Sequence, residues 1–198
     1  METALSRPRL SYPASVAATW LGVGLLLTLC DRFFHVSFGV LAYRDPLFTG
    51  QAWWVFPGFV FAAASMYLSA RQLFVRHTHS ATPGQAGISL ACFVAAYAAS
   101  GLFLAWPHGL LIGFVATWLL RVAFSRDRAV TFVFGLILAV MGCLIEGLLM
   151  LTGDVAYSAP EIFHVPWWLG GLYLHGAFVV LQLVRLVEEH HGRLSPRP

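Results

Sequence analysis

Residues Cys143 to Trp168 read CLIEGLLMLTGDVAYSAPEIFHVPWW, and this stretch joins two hydrophobic segments through a short polar loop. Its first part ends an apolar run that carries one carboxylate, Glu146, read as the only acid deep in any hydrophobic segment. Thr152-Gly153 closes that run, because glycine takes the left-handed turn that ends a helix cleanly. A polar loop over residues 154–165 follows. Pro166 then suits the first turn of a helix, where its missing N–H is no loss, and Trp167-Trp168 open that helix. The corner made by these elements is expected to touch whatever the protein binds.

Outward from this corner the chain is 59% hydrophobic and 11% charged, with a mean hydropathy of +0.74. Soluble domains carry about 25% charged residues, so the sequence is that of an integral membrane protein, with nothing to suggest a nucleic-acid partner. Apolar runs near the length that spans about 30 Å of hydrocarbon cover 14–35, 52–74, 85–106, 109–124, 129–151 and 166–187. The fourth is short and is expected to draw in His108 or part of the following SRDR turn. The fold class is all-α: a polytopic bundle of six transmembrane helices over 14–187, with polar tails at 1–13 and 188–198. No Ala-x-Ala cleavage site follows the first segment, which is therefore expected to stay as a helix.

Arginine placement supports that helix number. Every basic residue is Arg, and with the N-terminus cytoplasmic all but Arg32 and Arg44 fall at cytoplasmic ends. The positive-inside rule asks for this bias, whereas five or seven helices would scatter the same residues over both sides. Both termini are thus expected in the cytoplasm. The far side gathers Trp53-Trp54, Trp106 and Trp167-Trp168, an interfacial belt of amphipathic rings that also suits a lipid-gripping rim. The stripe Gly87, Ala91, Ala95, Ala99 and the GxxxG of Gly109 and Gly113 place small side chains on one helix face each. That spacing predicts a tight hairpin across Pro107-His108, or association between copies.

Cys30, Cys92 and Cys143 sit singly in apolar segments and suggest neither a disulfide framework nor a zinc site. The His77/His79 and His190/His191 pairs lack further ligands at fixed spacing, so no metal and no cofactor is expected. Glu188-Glu189-His190-His191 reads as a cytoplasmic polar tail, and the first ten residues and the final SPRP as disordered.

Ionisable groups inside a membrane are costly and mark candidate sites. Glu146 and His175 fall at similar depths on neighbouring helices and could pair, with Gln182 the other buried polar residue nearby. Three readings stay open. They line a pocket for a lipid head group; they satisfy one another and pin two helices together; or they act as an acid–base pair on an isoprenoid lipid.

From Gly50 onward the chain resembles the Insig family, six-helix membrane proteins that bind sterols in animals. Residues 52–58, AWWVFPG, are similar to the family's AWWVPP segment, and 124–128, FSRDR, to its FDRSR turn. Residues 152–161, TGDVAYSAPE, resemble the NGVYQYTSPD loop, and Trp168-Leu169 falls on the family's SWLP. The departures are specific. Ser125 replaces the acid linked to binding the sterol-sensing escort protein, with Asp127 two residues on. His108 takes, by spacing, the place of a glutamine that lines the animal sterol site. Regulation of sterol synthesis is therefore not carried over. The Arg-only, Ala/Gly-rich composition suggests a bacterium, with the protein in its plasma membrane.

The resemblance implies a non-enzymatic, lipid-binding bundle that holds a diacylglycerol-like or sterol/isoprenoid-like lipid in a central cavity, as a homo-oligomer. Trp53, Trp54, His108, Glu146, Tyr157, Trp168 and His175 are the expected cavity or rim residues. The alternative is an intramembrane hydratase or isomerase that works through Glu146 and His175.

Overall fold

The computed structural model describes residues 10–47 and 49–195. Six α-helices form the bundle: α1 Tyr12–Cys30, α2 Val55–Ser69, α3 Pro83–Leu102, α4 Pro107–Ala123, α5 Arg128–Thr152 and α6 Leu169–His190. A π-helical turn extends α1 through Asp31–Val36, and a π turn and a 3-10 turn extend α2 to His77. With those extensions, five helices are long and apolar enough to cross a membrane, and α4 is a shorter apolar helix. This is a multi-pass membrane bundle, as the composition implies. The disorder expected of residues 1–10 and 195–198 falls, apart from Leu10 and Ser195, outside the described residues, as do Arg7, Arg9 and Arg197.

The bundle is built round α6. In its apolar stretch 61% of residues are buried, against 22% in α1, α2 and α5. Leu172, Ala177, Leu181 and Val184 on α6 are each under a twentieth exposed, and at about 100° per residue they fall on more than one side of a helix that is covered nearly all round. The helix starts three residues later than the sequence suggests. Pro166 forms a turn in which its carbonyl accepts from Leu169 N at 3.0 Å, and Trp168 rather than Pro166 precedes the first helical residue. At the other end the helix runs on to His190, so Glu188 is no tail residue: it is 3% exposed, on the same inward face as Val184.

Two short strands were not foreseen. β1 (Leu41–Tyr43) pairs antiparallel with β2 (Val155–Tyr157), in the register Leu41↔Tyr157, Ala42↔Ala156 and Tyr43↔Val155. Alternation sends Leu41, Val155 and Tyr157 inward and leaves Ala42 and Ala156 outside. The ribbon thereby ties the α1–α2 connection to the α5–α6 connection. Gly153 ends α5 at φ +73°, the left-handed cap expected of it.

The small-residue hairpin is corrected. Gly87, Ala91 and Ala95 on α3 and Gly109 and Gly113 on α4 are exposed and face away from the bundle. Beyond their shared turn the two helices pack mainly on α6 and scarcely on one another. Spacing alone identifies a smooth helix face and not the partner that covers it. Close approach is made elsewhere, as at Gly142, where a Cβ would stand 2.7 Å from the Tyr173 ring.

Candidate functional site

At the tryptophan-rich end a web of polar side chains closes over itself. Asp31, in the π turn after α1, is 2% exposed. Its Oδ2 accepts from Gln51 Nε2 at 2.7 Å and from the Tyr43 hydroxyl at 2.9 Å. Gln51 also donates to the Thr28 carbonyl at 3.0 Å. His35, one turn beyond Asp31, stands 3.7 Å from its Oδ1 and meets Ser100 Oγ on α3 at 2.9 Å. On the opposite wall Glu146 Oε1 accepts from the Tyr173 hydroxyl at 2.9 Å, and its Oε2 from the Tyr157 hydroxyl at 3.5 Å. Burial, then the charge of Asp31, raises the Tyr43 phenol well above its ordinary pKa; burial, then Glu146, does the same for Tyr157. Both phenols therefore keep their protons and serve as donors.

Glu146 and His175 do not pair. Tyr173 and His175 are two residues apart on α6, about 200° round the helix, so the tyrosine that reaches Glu146 on α5 turns His175 away. His175 Nε2 meets the Phe114 carbonyl at 3.1 Å and lies 3.4 Å from Thr117 Oγ1, both on α4. The acid–base reading thereby loses the pair it requires. Reading Glu146 as the only deep carboxylate is likewise corrected, since Asp31 is buried with it.

The other sequence-named residues share the same end of the bundle. Trp168 is 1% exposed, with its ring centroid 6.1 Å from that of His35 and 6.4 Å from that of Phe114. Trp54 meets Tyr43 edge-on at 5.5 Å, and His108 meets Trp167 at 4.3 Å. Trp53, 73% exposed, takes the outward place of an interfacial ring.

The arginine-rich end holds a different arrangement. As α3 and α4 leave their turn, a cavity of about 540 Å³ opens between them, floored by α6, with its mouth bordered by the α2–α3 and α4–α5 connections. Its apolar lining includes Ile88, Leu120, Phe124, Phe178 and Leu181, and its polar lining Ser89, Gln182 and Arg121. At the mouth, Asp127 Oδ1 accepts from the His79 backbone N–H at 3.0 Å and meets Nδ1 of the same ring at 2.6 Å. Arg185 is fully engaged, by Glu189, the Val75 carbonyl and the Ser195 carbonyl. Glu188 accepts from Tyr12, Tyr67 and Arg71 at 2.6, 3.0 and 3.1 Å.

None of the seven expected residues lines this cavity. Gln182, noted as buried, does. Arg121 was read as a marker of topology because it stands near a helix end. The signal available was its place inside α4, before the SRDR turn. Asp31 and His35 were also legible, as an acid and a histidine one turn apart at the foot of an apolar helix.

The chain matches no protein-family model and no curated protein. Among solved structures it is similar to two crystal structures of MvINS, a mycobacterial Insig homologue from Mycobacterium vanbaalenii. One is a cross-linked trimer of a cysteine variant, with a TM-score of 0.78; the other has a TM-score of 0.73. Each is 22% identical and covers 92% of this chain and 96% of its own. At that identity the likeness is one of fold: the six-helix architecture implied by the Insig resemblance is the one this chain has.

Proposed function

We propose that this Insig-like membrane protein binds a membrane lipid and catalyses no reaction. The observation that carries the reading is the cavity of about 540 Å³ between α3, α4 and α6. Its size lies in the range of small-molecule sites, and such sites join mostly apolar walls to a few convergent polar groups. A diacylglycerol-like outline, with a compact polar head and two chains, suits the wedge: the head lies among Ser89, Gln182 and Arg121, and the chains leave between α3 and α4. Ile88, Leu120 and Phe124, at 66%, 60% and 84% exposure, flank that exit.

In this reading Glu146, Tyr157 and Trp168 frame the closed polar web, Trp53, Trp54 and His108 rest at the lipid interface, and His175 pins α6 to α4. The protein lies in a bacterial plasma membrane with both termini cytoplasmic, so that the cavity opens on the cytoplasmic side. It assembles with copies of itself. The outward small-residue faces of α3 and α4 support that, as does the trimer of the similar MvINS.

Native mass spectrometry in mild detergent, with identification of released lipid, tests the reading. One lipid of a single class per protomer is expected, reduced several-fold by Gln182→Phe, which fills the cavity, and retained by Glu146→Gln. A bare protomer, or a mixture matching bulk membrane lipid, would overturn it.

A further inference from the structure

Arg121 sits in the cavity wall with its Nη1 idle. Its Nη2 donates to Ser89 Oγ at 2.8 Å, and its guanidinium lies over the Phe178 ring, 4.1 Å from the centroid. Its Nη1 is buried and meets no acceptor, and Gln182 Oε1, in the same lining, is also buried without a donor. Among the described residues no carboxylate answers the charge. Of the described acids at this end, Asp127 is held by His79, Glu189 by Arg185 and Glu188 by Arg71 with two tyrosines. The lining carries three arginines, Arg121, Arg126 and Arg185, against the single acid Asp127. Arg126 is exposed at the mouth, where no described carboxylate pairs with it.

We infer that the ligand of this cavity is an amphiphile with an anionic head, a phosphate or a carboxylate, which Arg121 receives through its free Nη1. The inference rests on the lipid-binding reading and narrows its ligand class. A neutral head would leave the guanidinium desolvated and uncompensated, which is costly in a membrane-spanning segment. An oxyanion there accepts charge-assisted hydrogen bonds from Arg121 while Ser89 holds the guanidinium in plane. Gln182 Oε1 accepts from any hydroxyl or protonated oxygen on the same head. Arg126 adds charge at the entrance and steers the approach. The free-anion source is disfavoured by the walls, since Ile88, Leu120 and Phe124 offer apolar surface that an inorganic ion cannot use.

The test is binding to the full-length protein in neutral nanodiscs, with dioleoylphosphatidate, dioleoylglycerol and inorganic phosphate as separate probes. Phosphatidate is expected to bind at least about tenfold more tightly than dioleoylglycerol, with phosphate alone a poor competitor. Arg121→Gln should erase the preference while dioleoylglycerol still binds, and Arg121→Lys, which keeps the charge, should restore part of it. Equal affinity for the two lipids overturns the inference and leaves the lipid-binding reading standing. Competition by phosphate as strong as by phosphatidate overturns the amphiphile assignment. Failure of every lipid to bind wild-type protein removes the lipid-binding reading itself.

Discussion

The two ends of the bundle answer buried charge in opposite ways. At the tryptophan-rich end the charges are carboxylates, Asp31 and Glu146, and their partners are phenols and an amide drawn from other elements. At the arginine-rich end most charges are also matched, as Glu188 and Arg185 are, yet Arg121 stands in a cavity wall with an idle donor. A closed network stabilises whatever it ties together, because removing one member strands the rest. An open one stores an unmet demand. The difference separates a structural clasp from the proposed binding site, although both are polar groups within hydrophobic helices.

The comparison is broken most severely at Asp31. Asp31→Leu strands the Gln51 amide and the Tyr43 hydroxyl, and should cost about 3 kcal/mol of stability, read from unfolding in detergent. A loss under about 1 kcal/mol would mean the web is not closed. Tyr173→Phe removes one 2.9 Å hydrogen bond to Glu146 and should cost about 1 kcal/mol, in the same measurement. Arg121→Gln loses a bond to Ser89 and a stack on Phe178 but also relieves a desolvated charge, and should cost less than about 1 kcal/mol in lipid-free protein. A larger loss there would place Arg121 among the structural groups and remove the contrast.

Sequence made the bundle legible because its signals are local. Apolar runs, the arginine bias and the Gly153 cap each declare an element or its end without reference to another. The candidate site depends on direction, which local signals do not carry. Glu146 and His175 share a depth but not a face, and only the packing of Tyr173 against Gly142 decides which way each points. The small-residue stripes were visible, and what they face was not. β1 and β2 escaped notice since three-residue strands are too short for alternation to register, and they exist by pairing across more than a hundred residues.

α6 follows the other five helices in the chain, and it is the one on which they converge. Before it enters the membrane, α1 and α2 can pair, but α3 and α4 have little to hold them and α5 has lost its principal neighbour. Biogenesis of this protein therefore includes an assembly step in which the earlier helices wait in the bilayer until residues 169–190 insert among them. A chain cut short in α6 would present the membrane's quality-control proteases with unassembled spans, so loss of the C-terminal part should be read as loss of the whole protein.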